Sequence, residues 1–146
     1  MPAKPFVMTQ QEYVCPYEVL GMHITVLVSG EKTGSYELVP RTGPEGSGLP
    51  PHRHPWDESN YVIKGDVEFG LGEEITWGTA GTVIHFPAGT EHAYRFGRGG
   101  AVMVSITSRP GAARLFAALD RELPPGEAGP ATLIEIGARY GLTVVG

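Results

Sequence analysis

The chain has 146 residues, 41% hydrophobic and 18% charged, with a formal net charge of −5, which suits one globular domain and lacks the basic footprint that nucleic-acid binding requires. A single cysteine, Cys15, excludes an intramolecular disulfide and a thiolate metal cluster. The apolar runs are strand-length, short of the roughly 20 residues of a membrane helix, so the expectation is a cytoplasmic protein with neither nucleic acid nor membrane as partner.

Glycine (21) and proline (13) are scattered among short β-branched runs, the pattern of an all-β sandwich or barrel. Residues 1–19 read as an arm that adds an edge strand. A β-rich run over 23–28 closes at Ser29 and Gly30, and 35–39 alternates as a half-buried strand does. A Gly/Pro-rich loop over 44–51 leads into the histidines. A strand over 60–63 is expected to break at Lys64, Gly65 and Asp66. Residues 67–70 and 74–77 read as a hairpin around Gly72, and 82–86 as a strand stopped by Pro87. Residues 93–96 and 101–106 form a further pair around a Gly-rich turn.

The pattern changes after Ser108. Leu115, Phe116, Leu119 and Leu123 make the apolar stripe of an amphipathic helix over 110–123, ended by Pro124, Pro125 and Gly126. A second helix is expected over 130–140, with Pro130 in its first turn and Gly141 as its cap. The whole reads as one domain over 1–146, with a barrel core at about 21–107 and a helical tail at about 109–146.

His52 and His54 are two apart, so on an extended segment both rings leave the same face. On one straight strand Glu58 would lie about 20 Å from His52, at about 3.3 Å per residue. A shared ion therefore requires a chain reversal between them, for which Pro55, Trp56 and Asp57 offer a place. His92 follows a second turn, 87–91. Taken singly, each has a plainer reading: solvated loop histidines, and an exposed strand carboxylate.

Their setting is more specific. Gly46, five residues, His52-Arg53-His54, three residues, Glu58, six residues and Gly65 make one block. Gly81, five residues, Pro87-Ala88-Gly89, two residues and His92 make a second. These blocks, over 46–65 and 81–96, resemble the two motifs of the cupin superfamily; the asparagine often found four residues after the last histidine is Phe96 here. The resemblance implies a double-stranded β-helix (jelly-roll) barrel with one divalent metal ion held by His52, His54, Glu58 and His92. Residues 35–39, the Pro50-Pro51 entry and the ending Ala138-Arg139-Tyr140-Gly141 are also similar to the small single-domain cupins of the quercetin-dioxygenase-like group.

Three imidazoles and a carboxylate suit Fe, Mn, Ni, Cu, Co or Zn, with coordination positions left open. Alternation puts Asn60 and Val62 on the face of Glu58, and Tyr36 or Glu37 is expected to reach the cavity from the neighbouring strand. With Phe69, Ile84, Phe86 and Val104 they would line a small apolar pocket. His85 should point away from the metal, His23 reads as structural, Trp56 and Trp77 as packing or rim, Glu91 as a solvated carboxylate. The first expectation of function is a metal-dependent dioxygenase for a small aromatic or apolar substrate, with Glu58 able to shift between ligand and proton acceptor. The alternatives are a metal-dependent isomerase or lyase, and a non-catalytic module that binds a small molecule. The resemblance and the apolar outer strands imply a homodimer.

Overall fold

In a computed structural model, residues 3–123 and 130–145 are described. The elements in chain order are β1 (Tyr17–Val19), β2 (Met22–Ile24), α1 (Gly30–Thr33), β3 (Glu37–Gly43), β4 (Gly48–Arg53), β5 (Glu58–Leu71), β6 (Glu74–Gly78), β7 (Val83–Phe86), β8 (His92–Thr107), α2 (Ala112–Glu122), α3 (Pro130–Arg139) and β9 (Thr143–Val144). All strand pairings are antiparallel. The fold is the expected mostly-β jelly roll: a curled antiparallel sheet with few, short helices.

Two long strands organise it. The second half of β8 pairs with β3, from Glu37↔Thr107 to Gly43↔Ala101, and its first half pairs with β4, His52 lying opposite His92. Along its other edge β8 pairs with β5, from Glu58↔Thr107 to Leu71↔His92. β5 also carries β6 and β7. Such pairings along both edges curl the sheet so that one face encloses the core. Val39, Val62, Val67, Phe69, Phe86 and Met103 on that face have no exposure.

This curl changes two expected turns. Lys64, Gly65 and Asp66 do not end a strand: β5 continues through them, with register shifts between Val62 and Lys64 and between Gly65 and Val67. A bulge bends a strand while its ladder continues. Gly65 has φ +82°, and a Cβ there would lie 2.2 Å from the carbonyl oxygen of Gly100. The glycines at 97–100 are likewise absorbed into one sixteen-residue strand, β8. Because β5 and β8 bend together, the glycines serve the crossing rather than a reversal.

Other boundaries shift. The run over 23–28 is a strand only over Met22–Ile24, after which Thr25 and Leu27 donate to the carbonyls of Pro40 and Leu38. The strand expected over 35–39 is Glu37–Gly43, and β4 starts inside the expected loop, at Gly48. The amino-terminal arm does add an edge strand, β1, paired with β2.

α2 buries Leu115, Phe116 and Leu119 as the stripe requires; its expected stop at 124–126 lies outside the described residues. α3 begins at Pro130 and is followed by Gly141 at φ +88°, the left-handed position past a helix end. The sequence pattern missed β9, which pairs with β4 beside His52. No described helix is long and apolar enough to cross a membrane.

Candidate metal centre

His52 and His92 face each other across the β4–β8 ladder, their ring centroids 4.2 Å apart. His54 follows β4 on the same face, with exposed Arg53 between. The reversal needed to bring in Glu58 occurs at 55–57 and is pinned from several sides. Asp57 Oδ1 accepts from the Ala88 amide, the Asp57 amide donates to Ser108 Oγ, and the Gly89 amide donates to the His54 carbonyl. Glu58 then opens β5 on the inward face. His52, His54 and His92 are 2%, 5% and 1% exposed and Glu58 2%, so the solvated alternatives for these four do not hold.

One ring nitrogen of each of His52, His54 and His92 lies within 4.8 Å of the other two. The opposite nitrogen, Nδ1, lies 2.7 Å from the Pro50 carbonyl in His52, 2.9 Å from that of Trp56 in His54, and 2.9 Å from that of Thr90 in His92. A carbonyl only accepts, so each Nδ1 carries the hydrogen and each Nε2 keeps its lone pair. Trp56 stacks on His54 at 4.3 Å and Phe86 on His92 at 4.2 Å, fixing two of the rings.

The lone pairs meet a carboxylate. His54 Nε2 is 3.2 Å from Glu58 Oε1, and His92 Nε2 is 3.9 Å from Oε2. Among the described residues, the buried Nε2 atoms of His54 and His92 have no hydrogen-bond partner. Unprotonated nitrogens and carboxylate oxygens crowded together repel unless a cation lies among them. The donor set therefore fits a metal ion, with carbonyl-bound Nδ1–H groups orienting the ligands.

The electrostatics agree. Burial first, and then the neighbouring His92, pushes His52 down to about 3. Burial also lowers His92. Burial alone would raise Glu58, but the Arg41 guanidinium, the strongest opposing influence, holds its carboxyl well below the usual carboxylate range. Neutral imidazoles and an ionised carboxylate are the ligand states a metal needs.

Around this cluster the pocket expectations divide. Asn60 is buried on the inward face, its Nδ2 donating to Glu58 Oε2 at 2.9 Å, while Ser105 Oγ donates to Asn60 Oδ1. Val62 and Phe69 also face inward, the Phe69 ring 6.2 Å from Phe86. Tyr36 does not reach the cavity: it is 47% exposed, one residue before β3. Glu37 does turn inward, but it accepts from the Gly30 and Ala113 amides and so ties α1 to α2. Ile84 is only half-buried, and Val104 lies on the outer register between inward Met103 and Ser105.

His85 points outward, 2.8 Å from Ser59 Oγ, and His23 is exposed beside Glu18. Trp56 is packing, as expected, while Trp77 is 56% exposed. Glu91 is not simply solvated, standing 3.4 Å from Arg53.

The sequence pattern also missed Arg41. It is 1% exposed on the inward register of β3, with Nη2 3.7 Å from Glu58 Oε1. The alternation that turns Val39 inward turns Arg41 inward too, and extending it two residues would have found this cation. A groove of about 790 Å³ lies elsewhere, lined by residues of β4, β5 and β8 including Pro50, Glu68 and Arg95, and by Ile134 of α3. Of the four expected ligands only His92 borders it.

With this geometry in view, residues 41–107 match the family described as Cupin domain. The match spans 67 of the chain's 146 residues. Its solved structural neighbours agree on the fold. KdgF from a Halomonas species aligns with a TM-score of 0.65 at 19% identity, over 73% of this chain and 94% of its own. An RmlC-like cupin from Shewanella frigidimarina aligns at 0.65 and 17%, over 75% and 95%. The polyketide cyclase RemF from Streptomyces resistomycificus aligns at 0.61 and 16%, over 72% and 80%. No curated protein matches the chain significantly.

Proposed function

We propose that this protein is a member of the cupin family and a metal-dependent enzyme for a small molecule, with one divalent Fe, Mn, Ni, Cu, Co or Zn ion held by His52, His54, Glu58 and His92. The observation that carries this reading is the set of three Nδ1–H groups committed to backbone carbonyls, which leaves three clustered Nε2 lone pairs, two of them within 4 Å of the Glu58 carboxylate. When bound, such an ion polarises an oxygen donor on the substrate and, if redox-active, activates dioxygen. The residues hold and orient it, Asn60 and Arg41 fixing the Glu58 carboxylate from two sides.

A dioxygenase is the first reading of the reaction, with Glu58 as the catalytic carboxylate and Asn60, Val62 and Phe69 beside the substrate. The buried Arg41–Glu58 pair favours a second reading. A carboxylate held low by a fixed cation is a poor proton acceptor, and a metal acting as a Lewis acid in an isomerase or lyase needs no such acceptor at Glu58. Elemental analysis of untagged protein beside the His52→Ala/His92→Ala variant tests the centre. A near-stoichiometric transition metal, lost in the variant, is expected; unchanged metal content in a folded variant refutes the site. Oxygen consumption with the iron- or copper-loaded protein and candidate substrates then separates the two reactions.

We also infer a homodimer in the cytoplasm. Tyr61, Ile63, Val83 and Ile106 are 46–66% exposed on β5, β7 and β8, an apolar outer face of the kind that associates. Light scattering on the purified protein tests the dimer; a monomer at micromolar concentration refutes it.

A further inference from the structure

Arg41 is placed where a structural cation is costly. It is fully enclosed, with the Tyr94 and Phe116 ring centroids 5.2 and 4.8 Å from its Cζ. A guanidinium presents five N–H donors in a planar fork, and burial is expensive unless they are engaged. Nη1 donates to the Tyr94 hydroxyl at 2.6 Å. Nη2 lies 3.7 Å from Glu58 Oε1, beyond hydrogen-bond length, and among the described residues Nε has no partner. The fork is therefore only partly filled by the chain itself.

Charge balance points the same way. Arg41 offsets the one carboxylate in the ligand set. The other buried carboxylate among the described residues, Glu37, is engaged by the Gly30 and Ala113 amides. A divalent ion on three neutral imidazoles and Glu58 would leave two uncompensated positive charges in a buried site, which low-dielectric surroundings penalise. An anion from solution removes that penalty, and its oxygens can face both the ion and the guanidinium.

We propose that Arg41 makes this centre a receptor for small organic carboxylates, one carboxylate oxygen facing the metal and another the Arg41 fork. The proposal rests on the metal-centre reading above and names the substrate class of that site. A carboxylate matches the planar fork in geometry and charge. Arg41 is the one buried Lys or Arg among the described residues, which suits a carboxylate better than a phosphate group with its three terminal oxygens. Aromatic acids fall within this class, so the expectation of an aromatic substrate is narrowed to those carrying a carboxylate.

The test is calorimetric titration of zinc- or nickel-loaded protein with malonate, its neutral analogue malonamide, and inorganic phosphate, metal content being measured before each run. Wild-type protein is expected to bind malonate and not malonamide. Arg41→Met, its metal retained, should bind malonate about 10- to 100-fold more weakly, in line with the loss of charge-assisted hydrogen bonds, and Arg41→Lys should recover part of the affinity. Unchanged malonate affinity in metal-loaded Arg41→Met, malonamide binding as well as malonate, or phosphate binding more tightly than malonate would each overturn the assignment. If Arg41→Met does not fold, the wild-type comparison of the three probes still decides. Wild-type protein that takes up no metal would instead show the metal-centre reading to be wrong, a failure seen before any titration.

Discussion

Replacing Glu58 by glutamine keeps the shape of the side chain and removes its charge. In the metal-free protein this leaves Arg41, whose side chain is 1% exposed, without the anion 3.7 Å from its Nη2. At an effective dielectric near 20, opposite charges about 4 Å apart attract by about 4 kcal/mol. Removing one partner of a buried pair costs about 3–5 kcal/mol, because the survivor stays desolvated. For a chain of this size each kcal/mol moves Tm by about 2–4 °C, so Glu58→Gln should lower Tm by roughly 10 °C. The assay is calorimetric melting in chelator at neutral pH, alongside Arg41→Met and the double variant. With both charges gone nothing remains uncompensated, so the double variant should lose less than the two singles together. A Glu58→Gln protein melting within about 2 °C of wild type, or fully additive losses, would refute the claim that this pair is electrostatically coupled in the barrel.

Three further outcomes follow from the same structure. His52 is held at about 3 when folded, against 6.5 ordinarily, so between these values the unfolded chain binds the extra proton. Metal-free protein should therefore lose stability as pH falls from 6.5 towards 4.5, by up to about 1.4 kcal/mol per unit from this group, with His92 adding in the same direction; a flat Tm over that window contradicts the burial of neutral imidazoles. Gly65→Ala forces a Cβ to 2.2 Å from the Gly100 carbonyl at a positive φ and should destabilise by about 1–3 kcal/mol, read by denaturant melts; wild-type stability would mean that β5 does not bend there. Phe69→Ala empties a core position with no exposure and should cost about 3–5 kcal/mol, whereas exposed Trp77→Ala should change stability by less than about 1 kcal/mol.

The histidines were readable because period-two alternation is local: His52 and His54 share a face whatever lies elsewhere, and a carboxylate six residues beyond His52 can join them only after a reversal. Long-range pairing is not local. Gly65 and the glycines at 97–100 have the composition of turns, yet each segment continues as a bent strand because β5 and β8 ladder along one another. Tyr36 was chosen from a strand placed two residues early. Once β3 starts at Glu37, the inward positions are Glu37, Val39 and Arg41, and the expected greasy wall acquires a cation.

β9 shows how an element too short to read from sequence can bear on the site. Its two residues pair with β4 at His52 and Arg53, and the Val145 amide donates to the Pro51 carbonyl at 2.9 Å. β4 is thus held on both edges where His52 meets His92, and next to Pro50, whose carbonyl orients the His52 ring. A chain ended at Leu142 keeps the core residues and all four candidate ligands. It should therefore fold, with Tm lowered by several degrees for the loss of a few backbone hydrogen bonds and of the partly buried Val144 side chain. Its metal affinity should fall more steeply, by about 10-fold or more, as when groups that orient a ligand are removed. Competition titration against a chromogenic chelator measures this directly. Affinity within about twofold of wild type, where removal of such partners ordinarily costs about 10- to 100-fold, would mean that β8 alone holds His52 in place.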